Sequence, residues 1–164
     1  MLMKLKNYQI LNLLDVYSQI EGLNFKSTKG FSYAVIINEG TLAPNKKALI
    51  DIAKPSPEFQ EFEIKREAII AKYAKYDDNG VMVVRDDKWV EFKDGEADLA
   101  KSEIDDLIEE HKELVDGRTA EVDEYNKILE DEVEVNLMTI SLADVPDYIG
   151  ERIHLMKLLS PMID

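Results

Sequence analysis

Residues 94–131 read DGEADLAKSEIDDLIEEHKELVDGRTAEVDEYNKILED, and the choice of fold rests on this stretch. Its apolar residues fall at Ile104, Leu107, Ile108, Leu114, Val115, Val122, Tyr125, Ile128 and Leu129. Steps of three and four residues hold one face of an α-helix and match no strand, whose side chains alternate. The faces away from that stripe carry Asp106, Glu109, Glu113, Asp116 and Glu124, while His111 and Arg118 interrupt the stripe itself. A helix this long, roughly 55 Å at 1.5 Å per residue, is not stable alone in water and needs a partner for its narrow seam. The stepping keeps phase through Asp116-Gly117, so the spacing predicts one continuous helix; a turn at Gly117 is the alternative.

The partner is expected upstream. In Lys54-Pro55-Ser56-Pro57-Glu58, Ser56 is an N-cap, Pro57 suits the first helical position and Glu58 meets the helix dipole. The helix is predicted to run to about Tyr76, with Phe59, Phe62, Ile69, Ile70, Tyr73 and Tyr76 on its stripe and Arg66 breaking it. Asp77-Asp-Asn-Gly80 stops it. Residues 81–84 and 89–92 then flank Arg85-Asp-Asp-Lys88 as a β-hairpin with a four-residue loop. At about 30 Å the 57–76 helix is too short to line all of 94–131. Residues 31–53 are expected to supply the rest, bent from it at Pro55 and Pro57.

The flanks read as a smaller assembly. Residues 1–6 alternate as a short strand, and Asn7 is the expected N-cap of a helix to Glu21, closed by Gly22. Residues 24–30 are a connection, a helical pattern from Phe31 ends near Gly40, and Pro44 is expected near the start of a new helix to Ala53. Val133–Ile140 alternates as a strand whose expected mate is 1–6. Ser141–Asp147 is a loop, and Ile149–Leu159 is a last helix offering Ile153, Met156, Leu158 and Leu159 for burial. The expected fold class is α+β, mostly α: a long antiparallel, coiled-coil-like helical hairpin with a β-hairpin at one end and a small sheet with short helices at the other. It is expected as one domain, 1–164, with a compact base from about 1–30 and 132–164 and a helical arm 31–131 bearing the 81–92 hairpin.

Composition narrows the function classes. Cysteine is absent from the 164 residues, so there is no disulfide framework, thiol nucleophile or zinc–cysteine site. The first residues lack a signal-peptide core and no run of ~18 apolar residues occurs; a cytoplasmic protein without a membrane span is expected. Charge is uneven: residues 1–50 are net +3, 51–100 net −5 and 101–164 net −12, within a total of −14. Such a C-terminal half repels phosphates, so direct nucleic-acid binding is not expected, whereas a protein with a basic surface is a compatible partner.

Few residues suggest chemistry. His111 lies in Glu109-Glu-His-Lys-Glu113, which is not His-Glu-x-x-His, and His154 is far away in sequence. A Glu/His metal site draws on several helices, so His111 is read as a seam residue and no metal is expected. Arg66 and Arg118 interrupt stripes on helices expected to face each other. They are read as seam residues that set the hairpin's register by pairing with carboxylates such as Glu63 or Glu121, rather than as an anion site. Lys75–Asp86 partly resembles a calcium loop, but the first ligand position holds Lys75, leaving a helix stop and turn. Nucleophile elbows, phosphate-binding Gly-rich loops and dinucleotide fingerprints are missing, so neither an enzyme nor a cofactor is expected.

Several words of the sequence carry a resemblance: Phe31-Ser-Tyr-Ala-Val-Ile-Ile-Asn38, Lys54-Pro-Ser-Pro-Glu-Phe-Gln-Glu-Phe-Glu63, Lys72-Tyr-Ala-Lys-Tyr-Asp-Asp-Asn-Gly80, Val133-Glu-Val-Asn136 and Leu155-Met-Lys-Leu-Leu-Ser-Pro-Met-Ile163. Together they resemble a group of small tailed-phage and prophage proteins. The resemblance implies a phage or prophage origin and carries no activity and no site residues. The expected function is that of a non-enzymatic accessory protein binding another protein through Asp106, Glu109, Glu113 and Glu124 of the acidic helix, and through Trp89 of the hairpin. An acidic inhibitor imitating DNA's charge and a virion structural or assembly protein are the alternatives, with a second copy of the chain as a further partner.

Overall fold

The computed structural model describes residues 2–21, 27–85 and 89–164. The expected helix stop at Gly22, the start of the following connection and the 86–88 loop tip lie outside the described residues. The fold is α+β, mostly α. In chain order its elements are β1 (Leu2–Lys6), α1 (Asn7–Glu21), α2 (Lys29–Ala53), α3 (Pro57–Tyr73), β2 (Val84–Arg85), β3 (Trp89–Val90), α4 (Ala97–Glu110), α5 (Lys112–Glu130), β4 (Glu132–Asn136), α6 (Asp147–Gly150) and α7 (Ile153–Leu159). Residues 1–54 and 123–164 form one compact unit, and 55–122 form the other.

The first unit is built on the predicted pairing of the outer strands. β1 and β4 are antiparallel, with Met3 opposite Val135 and Leu5 opposite Val133. Alternation turns these four residues toward α1, whose Ile10, Leu13, Leu14, Tyr17 and Ile20 are buried. Phe31, Ala34, Val35 and Leu42 of α2 close the core with Ile149, Leu155, Leu159 and Met162. Each large side chain removed from water contributes about 1.5–3 kcal/mol. Asn7 does not cap α1 as expected. The Lys6 N–H donates to Gln9 Oε1 (2.8 Å), while Asn7 Nδ2 donates to the Ile128 carbonyl (2.8 Å) and ties the start of α1 to the end of α5.

A buried polar side chain fixes the middle of this core. Asn38 is fully buried, and it donates from Nδ2 to the Met138 carbonyl (3.0 Å) while accepting from the Met138 N–H (2.7 Å). Both backbone groups beyond the end of β4 are thereby satisfied without a neighbouring strand. Tyr17 lies against the same amide, and burial pushes its phenol up to about 12.

Several expectations need correction here. The 31–53 segment does not belong to the arm, because α2 packs into the first unit's core. It is one helix running through Pro44, held by Leu42 and Leu49, buried on either side of the proline. The single domain with a base of 1–30 and 132–164 becomes two units divided at Lys54/Pro55 and Val122/Asp123. The last helix is split into α6 and α7 around Arg152, which leaves Ile153 73% exposed.

In the second unit α3 starts as read from sequence, with Ser56 Oγ accepting from the Phe59 N–H (3.2 Å) and Pro57 in the first turn. It ends at Tyr73, three residues early, because the chain turns extended to pair. The Lys75 N–H donates to Glu91 O (2.7 Å), Val83 N–H to Lys75 O (2.9 Å) and Glu91 N–H to Val83 O (2.9 Å). The expected 81–92 hairpin is therefore reduced to the short β2–β3 pair, with residues 74–76 as its third member. Asp77 accepts from the Asn79 and Val81 N–H groups, and Gly80 takes the positive φ of 76° that this turn requires.

Candidate functional site

The second unit contains the predicted helical hairpin in its shorter form. Tyr73 Oη and Lys72 Nζ both donate to Glu103 Oε2 (2.7 Å each). Further along, the Phe62 ring meets His111 edge-on at 5.8 Å, and the Arg118 guanidinium lies 5.8 Å from the Phe59 ring centre. As numbers fall along α3 they rise along α4 and α5, which fixes the two as antiparallel. Lys72 and Tyr73 hold the Glu103 carboxyl below its ordinary range.

His111 and Arg118 lie against α3 in this seam, whereas Arg66 is half-buried on α3 and pairs within that helix, and the expected roles differ. Arg66 pairs with Glu63 (2.6 Å) and Arg118 with Glu121 (3.0 Å), each one turn away on its own helix. Such pairs cannot set the register between helices. That is set by the aromatic contacts and by Glu103. His111 has a second effect: with φ −110° and ψ 27° it interrupts the predicted continuous helix, which becomes α4 and α5. Gly117, the expected weak point, lies inside α5. The His111 ring packs on Phe62 with Lys65 Nζ 3.5 Å from its Nε2. No group of three His, Asp or Glu side chains suited to a metal ion occurs among the described residues.

The acidic residues Asp106, Glu109, Glu113 and Glu124 are all exposed. Among the described residues Glu109 has a loose partner, Lys112 at 3.8 Å, with both side chains mostly in water. An open depression of about 680 Å³ surrounds the interruption, lined by Glu109, Glu110, His111, Lys112, Glu113 and Leu114. Trp89 is 72% exposed on β3, opposite Arg85. The structure therefore brings Glu109 and Glu113 together around one helix break, whereas Asp106 lies earlier on α4, Glu124 later on α5 and Trp89 on the β-hairpin.

Sequence reading missed the state of the apolar residues beside these acids. Ile108 and Val122, expected in the closed seam, are 36% and 40% exposed. α5 contains no buried residue along its 19 positions, although it carries Leu114, Val115, Val122, Tyr125, Ile128 and Leu129. The signal was in the spacing, since a stripe using both 107/114 and 108/115/122 is wider than one facing helix covers. In the first unit a cleft of about 420 Å³ has Lys46, Lys47 and Lys54 on its rim. Lys47 and Lys54 are already paired with Asp51 and hold its carboxyl down at about 2.

Comparison with protein families, curated proteins and solved structures finds no match to this chain. No helix among the described residues is long and apolar enough to cross a membrane.

Proposed function

We propose that this chain is a non-enzymatic accessory protein, of the phage type its sequence resembles, that works in the host cytoplasm by binding another protein through α4 and α5. One observation carries the reading: α5, a 19-residue helix with six large apolar side chains, buries none of them fully, leaving five half-buried and Val122 40% exposed. Apolar surface left in water gains about 25 cal/mol per Å² when a partner covers it. The carboxylates beside it select a basic partner and speed its approach. Imitation of DNA's charge is the second reading, favoured by the exposed run Asp105, Asp106, Glu109, Glu110, Glu113 and Asp116. Mimicry needs carboxylates alone, so the half-exposed Ile108 and Val122 favour the first.

The test uses the whole protein as bait in infected-cell extract, beside a variant with Asp106→Asn, Glu109→Gln, Glu113→Gln and Glu124→Gln. The variant should lose the captured partner or bind it with a slower on-rate and a weaker salt dependence. Capture of the same partner with unchanged kinetics would move the binding site to the Trp89 hairpin.

A further inference from the structure

The uncovered face has a regular build that identifies what fits it. Ile108, Val115 and Val122 follow one another at intervals of seven residues across α4 and α5. Seven residues are two helical turns to within ~20°. His111 separates α4 from α5 between Ile108 and Val115, but the His111 N–H still donates to the Leu107 carbonyl and the Val115 N–H to the His111 carbonyl (3.1 Å each). The helical progression therefore crosses the break, and the three side chains form a ridge. His111 and Arg118 are also seven apart, and they meet Phe62 and Phe59 of α3. α3 therefore covers one row of the helix, and the Ile108 ridge is a neighbouring row left partly in water. Thr119, exposed one turn after Val115, spends its hydroxyl proton on the Val115 carbonyl of its own helix (3.0 Å), so that donor is already satisfied beside the ridge. The outer rim is exposed Asp105, Glu109 and Asp116, opposed by Lys112.

Resting on the reading of α4 and α5 as a protein-binding face, we propose that the Ile108–Val115–Val122 ridge is the seat of a basic amphipathic helix from the partner protein. An apolar row at heptad spacing is what a third helix packs against, with interaxial distances of roughly 8–10 Å. Charge decides which helix it is. α4 and α5 together hold twelve Asp and Glu against four Lys and Arg. A second copy would set two such surfaces about one Debye length apart, roughly 8 Å at physiological salt, where they repel. A helix with lysine or arginine beside its own apolar row instead finds opposite charge at Asp105, Glu109 and Asp116.

The probe is a pair of synthetic peptides of about three heptads, identical in leucine and lysine content, one with leucine in heptad register and one scrambled. Binding to the full chain is read by fluorescence anisotropy. The heptad peptide should bind at least about tenfold tighter than the scrambled one. Ile108→Ser with Val122→Ser should erase that advantage without changing scrambled-peptide binding. Val122→Thr, nearly isosteric and safe for folding, should reduce the advantage severalfold. Asp105→Asn with Glu109→Gln and Asp116→Asn should weaken both peptides. Equal binding of the two peptides to the parent chain would overturn the ridge inference while leaving an acidic binding face standing. Binding indifferent to the acidic substitutions would overturn the choice of a basic partner. A dimer in sedimentation that Ile108→Ser with Val122→Ser dissolves would give the ridge to a second copy and overturn the inference as well.

Discussion

At the scale of single residues, side chains with two partners hold more than the exposed ion pairs do. Asn38 serves both the donor and the acceptor of Met138 from a site with no access to water. Asn38→Leu keeps the volume and strands those groups, at an expected cost of about 2–4 kcal/mol in chemical denaturation. A loss within error would mean that the end of β4 is held by packing alone. Glu103 gives a pH signature. Its carboxyl is held low by Lys72 and Tyr73, so the folded state binds its proton less readily than the unfolded chain does. That contribution is complete above the ordinary carboxylate range and is lost as pH falls through the lowered value. Glu103→Gln should therefore lower the melting temperature near pH 7, with the gap to the parent closing below about pH 4. Sequence reading found Ser56, Arg66, His111 and Arg118 but missed Asn38 and Glu103. Nothing in one sequence shows which carbonyl lies unpaired opposite an asparagine, or which tyrosine meets a glutamate 30 positions later.

At the scale of elements, the reading succeeded where chain neighbours determine the outcome. The start of α3 and the β1–β4 pairing follow from a cap and from alternation. It failed where packing overrode a local rule. Pro44 was expected to start a helix, yet α2 runs through it, because the core contacts on either side outweigh one lost hydrogen bond. The spacing predicts one continuous helix, with a turn at Gly117 as the alternative, and the helix breaks instead at His111, whose ring packs on Phe62. Since nothing lies within 4 Å of a Cβ added at Gly117, Gly117→Ala should stabilise the protein by about 1 kcal/mol, seen as a higher melting temperature. Phe62, 4% exposed, is the anchor of the α3–α4 hairpin, and Phe62→Ala should cost about 3–5 kcal/mol. Ile108→Asp should cost far less than Phe62→Ala, because Ile108 is 36% exposed. A larger loss at position 108 than at 62 would invert the assignment of seam and ridge.

At the scale of the molecule, fold class and net charge were legible and the partition of the chain was not. The reason is α2, which is apolar on two faces. Phe31, Ala34, Val35 and Leu42 point inward, while Tyr33, Ile36 and Ile37 are 57%, 62% and 41% exposed. Periodicity therefore could not say which unit the helix joins. Residues 55–122 hold ten Lys and Arg against twenty Asp and Glu, a self-repelling charge. Moderate salt should raise the melting temperature. Replacing Asp106, Glu109, Glu113 and Glu124 by their amides should raise it at low salt and leave it unchanged once repulsion is screened. A fall at low salt would show that those carboxylates support the fold.

The β1–β4 register also sets a timetable for synthesis. Leu5 is paired with Val133, so an early strand waits for one made near the end. At about 5–20 residues per second that wait is on the order of ten seconds, during which Ile10, Leu13 and Tyr17 have no finished core to enter. Residues 55–122 need no segment made after Val122 to complete their own contacts. Nascent chains stalled before Val133 clears the ribosome should leave residues 1–54 open to protease. Protection there should appear in one step with the emergence of β4.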